Sequence, residues 1–544
     1  MTAGSSLGRA GRGAAVATLA SRAAGFVRIL VLAAVLGLGS RLLDSYNLAN
    51  ALPNVVYDLV VGGAMASVIV PMLTRAALSE PDGGVIYAQR LLSMIGYGLG
   101  AVTLVATLLA PLLVELFTPG FTAEQRQLAV VFTRFFLPQI LFYGMSAAAG
   151  AVLNIRGRFA APMWAPVANS LVVTGVGSLY FVVGGATSMQ ALTTPQLLLL
   201  SLGTTAGVFA QLTVVMWALA RSGFPFRPRL DPRGVGMRRI GRLGGWMLLS
   251  VAAAQVLFTV ATRSASISGP GGISAYQNAY ALFQMPFAVI TLSVMTVMLP
   301  RLSRSAARLD HRRITDDLSL AIRLAVVALA PVAAAMVALG PQLAALLFAH
   351  GRSDASTVGL VGTVMAAFGL ALVPFSGYTI LLRGFYAMQD TRTPALITGG
   401  VSAVGVAGCL AAGAFLPRPD IVVGIAIAYG AAYTTGLVTA GLVLRHRLGR
   451  IDGHRLVSTH ARVLLATAVA AGVAAAVARL LTPLTGPLVV VAAAGVLGAI
   501  TYLVAARLLR LTELGRLVAT ATAGITRRAA DPRVRSGRTA RRTG

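Results

Sequence analysis

The segment GAAVATLASRAAGFVRILVLAAVLGL, residues 13–38, is apolar over a length sufficient to cross a bilayer, yet it carries Arg22 and Arg28. A transmembrane helix needs about 20 predominantly apolar residues. A cation near the bilayer centre costs roughly 2.5–3.5 kcal/mol on insertion scales, so an intramembrane charge normally faces a water-filled cavity. The segment therefore predicts a membrane-spanning helix that borders a hydrophilic pathway.

The composition of the whole chain is that of a membrane protein. Of its 544 residues, 57% are hydrophobic and 11% are charged, and the mean hydropathy is +0.80. In soluble proteins about a quarter of the residues are charged. Only helices and closed barrels span bilayers, and barrel strands alternate between polar and apolar residues, whereas residues 91–113 and 463–478 are apolar nearly all round. We predict an all-α polytopic membrane protein with about 14 transmembrane helices.

The formal net charge of +29 comes from arginines that are spaced between the apolar segments and do not form one basic face. This spacing argues against a nucleic-acid partner. Alternate connections carry nearly all the arginine, as expected for loops on the cytoplasmic side of a membrane. Both termini are therefore predicted to be cytoplasmic. The arginine-rich connections contain Arg75 and Arg90, Arg156 and Arg158, and the runs at residues 221–242, 301–313 and 445–455.

The C-terminal segment, residues 512–544, is rich in arginine and lacks an apolar period. We predict a disordered cytoplasmic tail that is attracted to anionic lipids of the inner leaflet. An inert solubilising tail is an equal alternative, and a cytoplasmic regulatory partner stays open.

The sequence offers no catalytic or metal-binding motif. The single cysteine, Cys409, lies in an apolar segment and excludes both an intramolecular disulfide and a cysteine-based metal cluster. Five histidines lie at or beyond the ends of apolar segments without metal-ligand spacing, and no Gly-rich phosphate loop with lysine occurs. We predict no enzymatic activity, no metal and no cofactor.

The chain resembles itself at an offset of about 230 residues. Residues 71–75, PMLTR, correspond to residues 300–304, PRLSR. Parallel repeats of six spans occur in transporters whose substrate binds between two rocking lobes; chance similarity of apolar sequence is the alternative. We predict an N-lobe at residues 1–225, a C-lobe at residues 226–450, two further helices at residues 451–511, and then the tail.

Polar residues of the first span fall on a defined face. Ser21, Gly25 and Arg28 are at positions i, i+4 and i+7, so they share one side of the helix. Arg22 points about 120° away from Arg28, and both arginines can flank a wide cavity. A planar guanidinium donates two parallel hydrogen bonds to phosphate and stays charged. An anionic substrate is therefore predicted.

Two carboxylates of the second span, Asp44 at its start and Asp58 well inside it, allow another interpretation. The arginines could pair with them and hold helices together. Asp58 could itself be a proton site or only the counter-ion of a buried arginine. In the eighth span, Tyr276, Tyr280 and Gln284 form a stripe that either lines a hydrophilic lumen or makes interhelical hydrogen bonds.

Several motifs follow one another in the order of a known family. They are SRAAGFVR at residues 21–28, Asp44, LPN at residues 52–54, Gly63-Ala64, Pro71, LFAHG at residues 347–351 and FYAMQDTRTP at residues 385–394. Together they resemble the MurJ (MviN) family of lipid II flippases over approximately residues 14–510.

This resemblance implies a member of the multidrug, oligosaccharidyl-lipid and polysaccharide exporter superfamily, with two six-helix lobes around a central cavity. Two further helices of the family form a groove for a lipid tail, which matches residues 451–511. The implied substrate is lipid II, an undecaprenyl-diphosphate-linked disaccharide-pentapeptide. It would be moved from the inner to the outer leaflet of the bacterial cytoplasmic membrane by alternating access.

The resemblance also implies roles for individual residues. Arg22 and Arg28 are expected to engage the diphosphate of lipid II, and Asp44 is expected to pair with an arginine near the outward end. Pro53 and Asn54 match the Pro-Asn pair of the family. The full predicted substrate-binding set is Ser21, Arg22, Gly25, Arg28, Asp44, Asn54 and Arg263.

The chain departs from the family pattern at two places. Better-known members carry an arginine soon after the Pro-Asn pair, where this chain has Tyr57 and Asp58, and an Asp-Arg-x-x-Glu cluster where this chain has YALFQ at residues 280–284. Arg263, near the outward end of the seventh span, is therefore included as a substitute contact. The sodium site of the family is not expected, since the seventh, eleventh and twelfth spans contain no acidic residue.

Other functions are compatible with parts of the sequence. The main alternative is a related exporter of another polyprenyl-linked glycan or of cationic drugs. A membrane glycosyltransferase and a scaffold that recruits partners through the arginine-rich tail are two others.

Overall fold

The protein is built from long α-helices. The computed structural model describes residues 3–62, 69–229, 237–449, 453–511 and 513–515, and no strand occurs in these ranges. The helices are α1 Ala3–Leu36, α2 Arg41–Tyr57, α3 Val70–Ser79, α4 Val85–Leu108, α5 Ala110–Phe117, α6 Ala123–Phe136, α7 Gln139–Ile155, α8 Ala160–Val182, α9 Thr194–Arg221, α10 Met237–Ile267, α11 Gly272–Pro286, α12 Leu292–Ala307, α13 His311–Phe348, α14 Ala355–Ala387, α15 Arg392–Phe415, α16 Ile421–Leu448, α17 Gly453–Leu481 and α18 Pro487–Leu508.

Thirteen helical segments of the described chain are long and apolar enough to cross a membrane. Two of them join a pair of helices, α6 with α7 and α11 with α12. The remaining predicted span corresponds to α2 and α3, which are separated in part by residues 63–68. Those residues, including Gly63 and Ala64, lie outside the described ranges, as does most of the predicted tail. The prediction of an all-α membrane protein with about 14 spans is confirmed.

Short polar side chains cap the N-termini of several helices where the chain turns back toward the membrane. Ser40, Thr122, Asp310 and Asp354 each accept a hydrogen bond from a backbone N–H of the first turn of the helix that follows. Such caps satisfy N–H groups that have no partner within the helix. These caps fix where the four helices begin.

The internal repeat extends from the sequence to the backbone. A π-helical turn at Asp58–Gly62 follows α2, and a second one at Phe287–Thr291 follows α11. Their first residues are 229 positions apart (58 to 287), and so are Pro71 and Pro300. π-turns are rare and frequent at functional sites. The same irregularity at matching positions supports the repeat, while the lobe boundaries at residues 225 and 450 stay a prediction.

Helix packing follows the order expected for two bundles and an added pair. In the first part of the chain α8 packs on α1 and α9, α2 packs on α6, and α7 packs on α9. In the second part α14 packs on α13 and α16, and α15 packs on α10 and α16. Helices α17 and α18 pack on each other and on α13.

Small residues allow the closest of these contacts. Gly340 of α13 and Gly362 of α14 face each other, and a Cβ atom on Gly362 would lie 2.8 Å from the backbone nitrogen of Pro341. Transmembrane helices associate through such contacts, since lipid tails are as apolar as the side chains they replace. The crossing of α13 and α14 thus depends on glycine.

We predict that Gly362→Ala lowers the thermal stability of the protein in detergent, because the added methyl group must displace the backbone of α13. Overpacking typically costs about 1–3 kcal/mol. Gly359→Ala, one turn earlier in α14, is the matched control, since nothing lies within 4 Å of a Cβ atom there. Equal melting temperatures for the two variants would contradict the assigned role of Gly362.

Candidate functional site

A cavity of about 630 Å³ lies among α1, α2, α7, α8, α9 and α11. We call it the arginine cavity. Five residues of the predicted substrate-binding set line it: Ser21, Arg22, Gly25, Arg28 and Asn54. The stretch that predicted the first transmembrane helix therefore also supplies one wall of the cavity.

The arginine cavity is cationic. Arg22 is exposed and Arg28 is half-buried, and none of the described residues that line the cavity carries a carboxylate. Within the described part of the chain neither guanidinium forms a salt bridge. The other polar groups of the wall are neutral and include Tyr143, Gln211 and Gln284. Two uncompensated guanidinium groups beside neutral hydrogen-bonding groups suit a phosphate-bearing ligand.

Asp44 lies outside the arginine cavity and has different partners from those predicted. Its carboxylate is buried, and it accepts hydrogen bonds from the backbone N–H of Gly271 (2.7 Å) and from the N–H (2.8 Å) and hydroxyl (2.6 Å) of Ser274. These donors lie at the start of α11. The prediction that Asp44 pairs with an arginine is wrong in this conformation. The first N–H groups of a helix have no partner within the helix, and the helix dipole is positive at that end. The start of α11 therefore stabilises the negative charge of the Asp44 carboxylate.

Arg263 is also placed away from the arginines of the first helix. Its Nη1 donates a hydrogen bond of 2.7 Å to the carbonyl oxygen of Leu116 at the end of α5, and it does not line the arginine cavity. Its inclusion as a substitute substrate contact stays a prediction. The guanidinium joins α10 to α5.

The bundle is closed at the end that carries the connections at residues 37–40, 118–122, 268–271 and 349–354, which we call the arginine-poor end. Arg352 donates a backbone hydrogen bond to the carbonyl of Ala34 (2.9 Å) and a side-chain bond to the carbonyl of Gly185 (2.6 Å). The backbone N–H of Asp354 donates to the carbonyl of Leu38 (2.8 Å). The connection between α13 and α14 is thereby fixed across the end of α1.

The same connection carries a charge that is stabilised locally. Hydrogen bonds from Ser356 and Thr357 hold the pKa of the Asp354 carboxyl below its usual value. Asp354 is therefore ionised at neutral pH, and it caps α14. Sequence reasoning did not assign Arg352 or Asp354 a role, although LFAHG at residues 347–351 is one of the motifs behind the family resemblance.

Within the described ranges, the hydrogen bonds found between helices α1–α9 and α10–α16 lie at the arginine-poor end or in the middle of the bundle. The innermost is the bond of 3.1 Å from Gln255 Nε2 to Asp58 Oδ2. The arginine cavity therefore faces the end with the arginine-rich connections.

A second cavity of about 430 Å³ lies among α2, α10, α11 and α16. We call it the amide–tyrosine cavity. Asn54 lines both cavities. Tyr276 and Tyr280 line the second cavity and Gln284 lines the first, while Gln284 Nε2 donates to the Tyr280 hydroxyl (2.6 Å). The predicted stripe of α11 thus both faces hydrophilic space and makes hydrogen bonds.

Asp58 belongs to the amide–tyrosine cavity and is not a counter-ion of a buried arginine. Its carboxylate accepts a hydrogen bond from the Gln255 side chain, and none of the described residues that line this cavity is an arginine. The interpretation that the arginines pair with Asp44 or Asp58 to hold helices together is therefore contradicted. A proton-binding role of Asp58 stays a prediction.

The fold and the cationic cavity define a polytopic membrane transporter for an anionic substrate. A family model described as "Lipid II flippase MurJ" matches residues 32–493. The chain belongs to the MurJ family, as the sequence motifs predicted.

Individual relatives agree with this assignment. A protein of Rhizobium meliloti (strain 1021), described as a probable lipid II flippase MurJ, is 28% identical over 405 residues, which are 72% of each chain. A solved MurJ structure in an inward closed conformation has a TM-score of 0.75 at 18% identity and covers 92% of this chain and 99% of its own. An inward-facing MATE family transporter has a TM-score of 0.64 at 14% identity and covers 80% and 99%. The two structures show a shared fold.

We predict that Asp44→Ala opens the arginine-poor end, because the N–H groups of Gly271 and Ser274 lose a charged acceptor. A hydrogen bond to a charged group contributes about 1.5–3 kcal/mol. A cysteine replacing the buried Thr357, in a Cys409→Ser background, should then react at least about tenfold faster with a membrane-impermeant maleimide.

Asp82→Ala provides the matched control. Asp82 also accepts backbone hydrogen bonds, from Gly84 and Ile86, but within its own connection. Equal labelling rates in Asp44→Ala and the parent would show that the carboxylate does not hold this end closed.

Proposed function

We propose that the protein translocates lipid II from the inner to the outer leaflet of the bacterial cytoplasmic membrane by alternating access, with both termini in the cytoplasm. The observation that carries this proposal is the pair Arg22 and Arg28, which lie without carboxylate partners in one cavity. Membership of the MurJ family supplies the substrate.

The cavity suits the diphosphate of lipid II. The two guanidinium groups neutralise the charge of the diphosphate, and Ser21, Asn54 and Gln211 offer neutral hydrogen bonds beside them. The headgroup enters from the arginine-rich end, which is the cytoplasmic end in this proposal. Closure there and separation of the arginine-poor end then deliver it to the outer leaflet.

The membrane potential favours return of the empty carrier. Moving one elementary charge across the membrane potential corresponds to about 2.3 kcal/mol per 100 mV. The interior of the cell is negative, so an empty cavity with two positive charges is more stable when it faces inward. The bound diphosphate cancels this charge, and the loaded carrier is less sensitive to the potential.

The C-terminal helices fit the role of a lipid-tail site. Helices α17 and α18 expose large apolar side chains, among them Leu464, Leu465 and Leu488. A polyprenyl chain lying along α17 and α18 would stay in an apolar environment while its headgroup occupies the cavity. The basic tail would contact anionic lipids of the inner leaflet or a cytoplasmic regulatory partner.

The alternatives are less well supported. A cavity for cationic drugs needs negative charge, whereas the arginine cavity contains two cations and no carboxylate. A membrane glycosyltransferase is less well supported, because the family whose model matches the chain is described as a flippase. Transport without enzymatic activity is the proposal that fits the cavity best.

We predict that Arg28→Ala lowers the rate at which lipid II reaches the outer face, since the diphosphate loses a charge-assisted hydrogen bond. Losing about 1.5–3 kcal/mol corresponds to a loss of roughly tenfold to hundredfold. The measurement is the amount of lipid II accessible from outside in cells depleted of their own flippase.

Arg445→Ala is the matched control, because this arginine is exposed at the arginine-rich end and does not line the cavity. Arg28→Lys should retain part of the activity, since lysine keeps the charge but not the planar fork. Normal transport by Arg28→Ala at normal membrane levels would refute the assignment of this arginine.

A further inference from the structure

The amide–tyrosine cavity has no role in binding a diphosphate. Four tyrosines and five apolar residues line it beside a polar set that consists of Asn47, Asn50, Asn54, Gln255, Gln277 and Asp58. No arginine is among these residues, and the Asp58 carboxylate would repel a phosphate group. The second cavity therefore requires a ligand of different chemistry.

The lining is suited to a group that is rich in hydroxyls and uncharged. Amides both donate and accept hydrogen bonds, and a carboxylate accepts them. Gln277 Nε2 is buried without a hydrogen-bond partner. The partly exposed rings of Tyr280 and Tyr433 give apolar surface, as the C–H side of a sugar ring requires, and the buried rings of Tyr276 and Tyr429 pack beside them. Hydrogen-bonding edges next to aromatic faces match the two sides of a pyranose.

The two cavities meet at one residue. Asn54 lines both of them, and Gln284 in the arginine cavity donates to Tyr280 in the other. One extended ligand can therefore place an anionic group beside Arg28 and a neutral group beside Asn50 and Gln277. A diphosphate-linked glycan has this order of groups, with the sugar directly after the phosphate.

We infer that the amide–tyrosine cavity binds the glycosyl part of the diphosphate-linked substrate, while the arginine cavity binds the diphosphate. The inference rests on the proposed function and adds a second subsite to it. The sugar would contact α2 and α11, the two helices that Asp44 joins at the arginine-poor end. A sugar bound in the second cavity would thus contact both of the helices that must separate during transport.

The test compares two ligands that differ only in the sugar. One is undecaprenyl diphosphate, and the other is the same lipid carrying the disaccharide without the peptide. Dissociation constants are measured for the purified full-length protein in nanodiscs. The variants are Asn50→Leu and Gln277→Leu, which remove amides of the second cavity, and Arg28→Ala.

We predict that Asn50→Leu and Gln277→Leu weaken binding of the glycosylated lipid by about three- to tenfold each and leave undecaprenyl diphosphate unchanged, as expected for the loss of a neutral hydrogen bond. Arg28→Ala should weaken both ligands by similar factors. The ratio of the two constants therefore reports on the sugar subsite alone.

Gln211→Leu is the control, because it removes an amide from the arginine cavity and should leave this ratio unchanged. The inference is overturned if the ratio is unaffected in both second-cavity variants, or if Gln211→Leu changes it equally. If Arg28→Ala weakens neither ligand, the diphosphate assignment fails, while the ratio still decides the sugar subsite. Unchanged melting temperatures exclude misfolding as the cause.

Discussion

The architecture depends on one buried carboxylate at the start of a helix. Asp44 accepts three hydrogen bonds from Gly271 and Ser274, at a place where Gly271 has a φ of 82° and lies against Gly39. A Cβ atom on Gly271 would lie 2.8 Å from the Cα atom of Gly39, and one on Gly39 would lie 2.6 Å from Thr357 Oγ1, so a side chain at either glycine would push neighbouring connections apart. The charge of Asp44 and these two glycines together close the arginine-poor end. The orientation of both cavities follows from this closure, because the remaining opening lies at the other end.

The two intramembrane arginines, Arg22 and Arg28, are tolerated because they border a cavity. A guanidinium at membrane depth is costly in lipid, yet Arg22 and Arg28 border a cavity that water can fill. Leaving them without carboxylate partners keeps their hydrogen-bonding capacity for a ligand. The acidic groups nearest in sequence, Asp44 and Asp58, are used elsewhere, on α11 and on Gln255. Charges of opposite sign are thus kept apart within one bundle.

Much of this could be predicted from the sequence. Apolar length gave the spans, and helical periodicity together with the family motifs put Ser21, Gly25 and Arg28 on one face, where the structure finds them. The partner of Asp44 could not be predicted, because backbone N–H groups carry no side-chain signature and Gly271 lies 227 residues away. The role of Arg352 was missed for a related reason, since its side chain donates to a backbone carbonyl in a distant connection, that of Gly185. The residues that line the second cavity come from four helices that are far apart in the sequence, so no local sequence pattern predicts this cavity.

The paired π-turns have a consequence for how the chain tolerates change. Each holds one residue more than a regular helical turn would need. Deleting a single residue from Phe287–Thr291 would restore a regular helix and keep α12 nearly in phase, because the five residues of this π-turn and about four residues of an α-helix turn through almost the same angle. Deleting a residue from the regular part of α12 before Leu302 would instead rotate everything that follows by about 100°. Leu302, which is fully buried, would then leave its packing. The two π-turns are therefore the places in these helices where the loss of one residue is absorbed.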